Sequence, residues 1–273
     1  MEVVTPFCDR LAETPMEKGI DHHGAYETAG IRGWQVRRYG CVASTQDIAA
    51  VLPSWSAVVA DVQSAGRGQW QRSFTSDAGG LYLTAVLPYD GDAVLWRGFA
   101  LAVGWSVVAH FRARGIARVR LRWPNDLMIG DRKVGGILVT QGRPDTLCVG
   151  LGINVYNQPW SDDPSLEGIA CRLADHADDR LIGFGHLLRT LLGALRLAYL
   201  SFSLRGLRGF APTLNRIWDC NRPVRLELAA GAPAAEMRGR FVGILPNGDL
   251  ILGHRDGSHT VVRSHWVKRL HER

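Results

Sequence analysis

The spacing of apolar and polar positions changes several times along this chain, and each change marks an expected element. Short apolar runs broken by turn residues read as strands in "WQVRRYGCV" (34–42), "AVVADVQ" (57–63), "LYLTAVLP" (81–88), "VRLRW" (119–123) and "TLCVGLGINV" (146–155). "LMI-GD-RKVGGILV" reads as a hairpin with Gly130-Asp131 at a two-residue turn. Helical spacing takes over at Leu95, Phe99, Val103, Val107 and Phe111, predicting a helix over 94–114 that Gly115 stops. It returns at Leu188, Leu191, Leu195, Tyr199 and Phe202, with Arg189 and Arg196 on other faces, and a further helix is expected over 207–219. Ser44 fits a helix N-cap, with Asp47 three residues on completing a capping-box pattern.

From "NRPVRLEL" onward the pattern shifts to short strands and turns: "MRGRFVGI", "LILG" and "TVVRSHWV", with Asn247-Gly248 as a hairpin signal. These residues read as a small β-barrel or half-barrel. One boundary therefore falls near residue 220. A second falls near 33, because residues 1–33 are mixed in charge and weakly patterned and compact order is expected from Trp34.

Composition adds limits. With 273 residues, 46% hydrophobic and 21% charged, the chain can bury a sizeable core. A net charge of +6, spread along the chain rather than gathered in one block, favours a small anionic ligand over nucleic acid. Cys8, Cys41, Cys148, Cys171 and Cys220 are far apart and never spaced as CxxC, so reduced thiols in a cytoplasmic setting are expected, without a disulfide framework or metal site. No signal peptide and no membrane span are expected.

Three segments carry candidate chemistry. In "GRGQWQRSF" (66–74), Gly66 and Gly68 let backbone N–H groups approach a ligand, Arg67 and Arg72 can fork onto phosphate or carboxylate oxygens, and Trp70 and Phe74 can cover it. Gly79-Gly80 allows movement at the far end. A mobile anion-binding flap and an ordinary glycine-rich surface loop fit that segment equally well. In "RWPNDLMIGDRKVGGIL" (122–138), Asn125 and Asp126 stand at a strand end, and Lys133 follows the hairpin turn beside the bare surface of Gly135 and Gly136, suited to a phosphate or carboxylate; taken singly, a turn-forming Asn-Asp and a solvated strand lysine fit these residues better. In "CVGLGIN" (148–154), alternation places Cys148, Gly150, Gly152 and Asn154 on one face, so either a ligand or a packed helix comes close there. A Rossmann fingerprint, a P-loop, HExxH and GxSxG are absent from the sequence, and no Cys/His spacing suggests a nucleophile.

Together these segments resemble the biotin–protein ligase family. "STQD" (44–47) is similar to its ST[NQ] segment, "GRGQWQRSF" to its GRGRRGRxW loop, "RWPNDLMIGDRKVGGIL" to its [KR]WPND…KxxGIL signature, and "GLGIN" to its G[IL]GIN strand. The order and spacing agree. The resemblance is strong over roughly 34–160 and looser beyond.

It implies an α+β fold: a catalytic domain over 34–220 built on a mixed β-sheet with flanking helices, class II synthetase-like, and a small C-terminal SH3-like barrel over 221–273. Residues 1–33 would be an N-terminal extension of unknown role. The implied reaction joins biotin and MgATP into biotinyl-5′-AMP, then transfers biotin to a lysine of a biotin carboxyl carrier domain. The attacking amine belongs to the partner, which agrees with the missing nucleophile. Lys133, Arg67 and Asp126 would be the catalytic residues. Ser44, Thr45, Gln46, Gln63, Gly66, Arg67, Gly68, Gln69, Arg72, Trp123, Asn125, Lys133, Gly135, Gly136, Gly152 and Asn154 would bind substrate, with Gln63 facing the ureido ring. No protein metal site is implied; Mg²⁺ comes with ATP.

The chain departs from the family's loop at Gln69 (arginine), Gln71 (glycine) and Phe74 (tryptophan). Residues 1–33 are too short for the helix-turn-helix of repressor members, so no sequence-specific DNA binding is expected. A homodimer is left open. The competing readings are a lipoate-type ligase and a degenerate, non-catalytic biotin-binding protein.

Overall fold

The computed structural model of the protein describes residues 27–94, 96–116, 118–218 and 221–272. Readings that fall on 1–26, on Leu95 or on the boundary at 219–220 lie outside the described residues. The first strands are β1 (Glu27–Ile31), β2 (Trp34–Val42), β3 (Ser56–Gln63) and β4 (Leu81–Pro88), with the short helix α1 (Thr45–Ala49) between β2 and β3. Helix α2 (Phe99–Arg112) precedes β5 (Val119–Arg122), β6 (Asp126–Ile129), β7 (Arg132–Gln141) and β8 (Thr146–Ile153). Then come α3 (Asp179–Ile182), α4 (Phe184–Arg205), α5 (Ala211–Ile217) and the strands β9 (Pro223–Leu228), β10 (Glu236–Ile244), β11 (Leu250–Gly253), β12 (His259–Val262) and β13 (Val267–Glu272).

Eight strands form one mixed sheet in the order β1-β2-β3-β4-β8-β7-β6-β5. Only β2 and β3 run parallel among its pairs; α1 lies in their connection, as a parallel pairing requires a crossover. One face of this sheet packs on α2 and α4. There Leu83 and Ala85 of β4, and Val149, Leu151 and Ile153 of β8, meet Val103, Val107, Leu188, Leu191 and Leu195 in the main core. The opposite face holds a smaller cluster of Tyr39, Val58, Val86 and Cys148 with Ala49 and Leu52 of the α1 segment. The remaining strands form a five-stranded antiparallel sheet, β12-β11-β10-β9-β13, compatible with the SH3-like expectation.

Sequence and structure differ in four places. Order begins at β1 rather than at Trp34: Glu27–Ile31 pairs antiparallel with β2 and buries both of its end residues. Helix α2 starts at Phe99, because Gly98 just before it adopts a left-handed φ of 76°. The helix expected over 207–219 divides into a 3₁₀ turn, Leu207–Gly209, and α5. The single strand read in "TVVRSHWV" is broken by a 3₁₀ turn at Ser264–Trp266, so β12 and β13 fall on opposite edges of their sheet. Helix α4 is long and apolar enough to cross a bilayer by length and composition, but half of its most apolar stretch is buried in the protein and it forms part of the main core.

Candidate active site

The site is built on the α1 side of the large sheet, where strand register lines up residues distant in sequence. Gly136 of β7 pairs with Gly152 of β8, and Tyr82 of β4 flanks Gly152 on its other side. In the next row Leu138, Gly150 and Thr84 stand side by side. The result is a patch of bare backbone bordered by Tyr82, Thr84 and Leu138. Both β8 glycines are in use. A Cβ on Gly152 would stand 2.5 Å from Cε1 of Phe74, and one on Gly150 would stand 2.5 Å from Nε2 of Gln46. A ring from the loop and a side chain from the helix thus lie on this face.

Beside the glycines is a hydrogen-bonded polar cluster. Ser44 caps α1 through a 3.4 Å bond from the Gln46 N–H. Thr45 donates its backbone N–H (2.8 Å) and its hydroxyl (3.0 Å) to Oε1 of Gln63, and its Oγ1 lies 2.8 Å from that of Thr84. Nε2 of Gln63 donates to Ser76 Oγ at 2.9 Å, and Ser76 donates to the Phe74 carbonyl at 2.8 Å. The Gln63 carboxamide therefore ties α1 to Ser76 and, through it, to the Phe74 end of the 66–74 loop. Gly66 is required in that loop because a Cβ would fall 2.3 Å from the Phe74 carbonyl oxygen. Asp47 does not complete the capping box through its carboxylate, which is paired with Arg67.

The second charged group sits where β6 and β7 meet. Lys133 Nζ lies 2.6 Å from one oxygen of Asp126, and Arg122 Nη2 lies 2.7 Å from the other. Burial alone raises the Asp126 carboxyl, but Lys133 and then Arg122 outweigh it and hold it below the usual carboxylate range. Asn125 bonds both backbone groups of Ile137, donating at 2.6 Å and accepting at 3.0 Å through its own carbonyl, which ties the strand end to β7. Asn154 is buried, donating to the Cys171 carbonyl and accepting from Asn157, so it supports the following loop from beneath. Burial pushes the Cys148 thiol up to about 11.

A cleft of about 790 Å³ opens between α1, the 67–71 loop, the end of β7 and the C-terminal sheet. Gln46, Arg67, Gly68, Gln69 and Trp123 line it. The Lys133–Asp126 pair, the Thr45–Gln63 cluster and the Gly136–Gly152 patch lie outside its lining, with Phe74 of the loop against the patch. Arg72 points away, donating to the Lys268 carbonyl at 2.9 Å. Trp70, expected from the sequence to cover a ligand, lines the cleft, as do Asp47, Thr140, Ser264 and His265, which were not singled out as ligand contacts. Asp47 was visible only as a cap, and no sequence signal placed Ser264 or His265 beside residues so far from them in the chain.

Residues 40–154 match the model of the biotin/lipoate A/B protein ligase family. Over 225 residues the chain is 33% identical to "Bifunctional ligase/repressor BirA" of Escherichia coli, an alignment that covers 76% of this chain and 64% of the relative. It is 30% identical to "Biotin--[acetyl-CoA-carboxylase] ligase" of Paracoccus denitrificans over 71% of this chain and 82% of that protein. Among solved structures, a biotin protein ligase from Aquifex aeolicus, in complex with biotin and ATP, superposes with a TM-score of 0.73 at 24% identity. It covers 87% of this chain and 99% of its own, a likeness of fold. With the mixed sheet, the glycine-paved face and the sequence segments around it all in place, the chain belongs to the biotin–protein ligase family.

Proposed function

We propose that this protein activates biotin with ATP to biotinyl-5′-AMP and transfers biotin to a lysine of a biotin carboxyl carrier domain. One observation carries the reading. "STQD", "GRGQWQRSF", the 122–138 hairpin and "GLGIN", scattered over more than a hundred residues, meet around one face of one sheet.

In the first step the biotin carboxylate attacks the α-phosphate and pyrophosphate leaves. Two anions must approach, so cations and N–H donors are needed where charge builds up. Lys133, beside Gly136, and Arg67, on the loop, are the cations proposed for this role, and Asp126 fixes the position of Lys133. In the second step the carrier lysine attacks the acyl carbon and AMP leaves; the enzyme contributes orientation and exclusion of water. The neutral amide and hydroxyl groups of Ser44, Thr45, Gln46 and Gln63 suit a cyclic urea. Gly66, Gly68, Gln69, Arg72, Trp123, Asn125, Gly135, Gly136, Gly152 and Asn154 complete the proposed substrate-binding set, as direct contacts or supports.

In this reading Mg²⁺ arrives with the nucleotide and eases its charge. The reading includes a cytoplasmic location, no sequence-specific DNA binding and the option of a homodimer. It also includes the proposed division into a 34–220 catalytic unit and a 221–273 barrel.

The test is pyrophosphate release on mixing with biotin and ATP, followed by biotin transfer to a purified carrier domain, for the wild type and Lys133→Ala. Biotin-dependent release that lipoate does not inhibit supports the proposal. Release driven by lipoate instead would make this a lipoate-type ligase. Tight biotin binding without pyrophosphate would leave a binding protein.

A further inference from the structure

Thr84 belongs to none of the candidate segments, yet it backs the polar cluster at the start of α1. It sits in β4, between β3 and β8, and is fully buried. Register places Val58 beside it on one side and Gly150 on the other. Neither neighbour offers its side chain a polar partner, and a buried hydroxyl without one is costly. The partner comes from α1, whose Thr45 and Gln46 lie over this row: Oγ1 of Thr45 stands 2.8 Å away. The Thr84 hydroxyl makes no other hydrogen bond among the described residues.

The direction of the protons follows from counting them. Oε1 of Gln63 only accepts, and it takes the Thr45 N–H at 2.8 Å and the Thr45 hydroxyl at 3.0 Å. A threonine hydroxyl has one proton to give. With the Thr45 proton on Gln63, the 2.8 Å contact needs the proton of Thr84. The reverse direction would leave Thr45 Oγ1 and Gln63 Oε1 3.0 Å apart with no proton between them, and the Thr84 proton without an acceptor. The chain therefore runs from Thr84 to Thr45 to Gln63, and each donor strengthens the next bond. Helix α1 needs this support: with five residues it is too short to hold itself, and its Ser44 cap is a long 3.4 Å bond.

We propose that Thr84 is a positioning residue for biotin recognition: its hydroxyl fixes Thr45, and through Thr45 the Gln63 carboxamide, in the arrangement that meets a cyclic urea. The role rests on the function proposed above. Thr84 acts from behind Thr45 and takes no part in the chemistry, so its loss weakens the hold on biotin in ground and transition states alike. That pattern raises KM for biotin and leaves kcat and the KM for ATP in place.

Pyrophosphate release by the full chain, titrated with biotin and separately with ATP, tests this. Thr84→Val keeps the branched shape and removes the donor. It should raise KM for biotin about three- to tenfold, the loss of one neutral hydrogen bond, with kcat and the KM for ATP within about twofold of wild type. Thr84→Ser keeps the hydroxyl and should bring KM for biotin back to within about twofold. In a Thr45→Val background, Thr84→Val should add less than about twofold, because the group it acts through is gone. An unchanged KM for biotin in Thr84→Val, no rescue by Thr84→Ser, or a full further loss in the Thr45→Val background would each overturn the role. So would parallel changes in kcat and both KM values, the mark of general damage. If Thr84→Val fails to fold, Thr84→Ala takes its place in the same comparisons. A wild type that neither binds biotin nor releases pyrophosphate would reject the proposed function and this role with it. A wild type that does both, with Thr84→Val its equal, would reject this role alone.

Discussion

Gly152→Ala probes the contact between the loop and the sheet most directly. The added Cβ would fall 2.5 Å and 2.7 Å from Cε1 and Cζ of Phe74, well inside van der Waals contact, so one partner has to move by about an ångström. The β8 backbone cannot retreat, because it is paired on both sides, with β4 and β7. The Phe74 ring must yield, although its backbone is held by the Gly66 carbonyl and by Ser76. Overpacking of this kind costs about 1–3 kcal/mol. Phe74→Ala costs less than the roughly 3–5 kcal/mol of a fully buried ring, since Phe74 is only half-buried. In the double variant the clash has no partner, so about 1–2 kcal/mol of the Gly152→Ala penalty should be recovered. Urea denaturation of the four proteins measures the cycle, and biotin calorimetry on the same set should show about a tenfold loss for Gly152→Ala. Additivity within about 0.5 kcal/mol would refute the reasoning, because the ring would then not rest on Gly152.

Gly135→Ala has no such remedy: its Cβ would stand 2.5 Å from the Gly152 carbonyl oxygen, a backbone atom, and a stability loss of about 2–3 kcal/mol is expected by thermal or urea unfolding. Asp126→Asn leaves Lys133 and Arg122 without their shared acid and should cost about 2 kcal/mol near neutral pH, below the deep-interior figure because Lys133 is 37% exposed. The sign follows from the lowered carboxyl: its stabilisation is complete above the ordinary carboxylate range and is lost as pH falls through the folded-state value. The gap between wild type and Asp126→Asn should therefore narrow on acid titration below about pH 4. Gln69→Arg restores the guanidinium of the family's loop and should slow dissociation of biotinyl-5′-AMP by about 10- to 100-fold, matching one charge-assisted hydrogen bond; equal rates in a chase experiment would contradict this. Burial raises the thiols of Cys148 and Cys171 to about 11, so a maleimide at pH 7.5 should label exposed Cys41 well before either.

The legible parts of the fold were those decided locally. Ser44 caps its helix through the neighbouring turn, and the Gly130-Asp131 hairpin closes over two residues, so a short window contains all the relevant physics. Alternation in "CVGLGIN" separated the core face from the glycine face, because strand period alone fixes that division. The missed parts depend on distant partners. "ETAGI" reads weakly because only its end residues are buried, and its pairing comes from the edge of β2. "TVVRSHWV" continues a strand pattern through a turn that the two edges of the small sheet impose. Gln63 reads as a free carboxamide until Thr45 and Ser76 are seen to claim it. Trp70 reads as a cover for ligand, yet its indole N–H is bonded 197 residues away, to a carbonyl at a bulge that no local pattern announces.

Arg67 and Lys133 each already face an acid, Asp47 and Asp126. For an anion entering this site, recognition is consequently a trade: a carboxylate gives up its cation as the ligand takes it. The number of ion pairs stays nearly constant through that trade, so added salt weakens the bound and the empty states together and the net dependence on ionic strength is shallow. Selectivity then comes from geometry, since only an anion that reaches the cations better than the resident acids can complete the exchange.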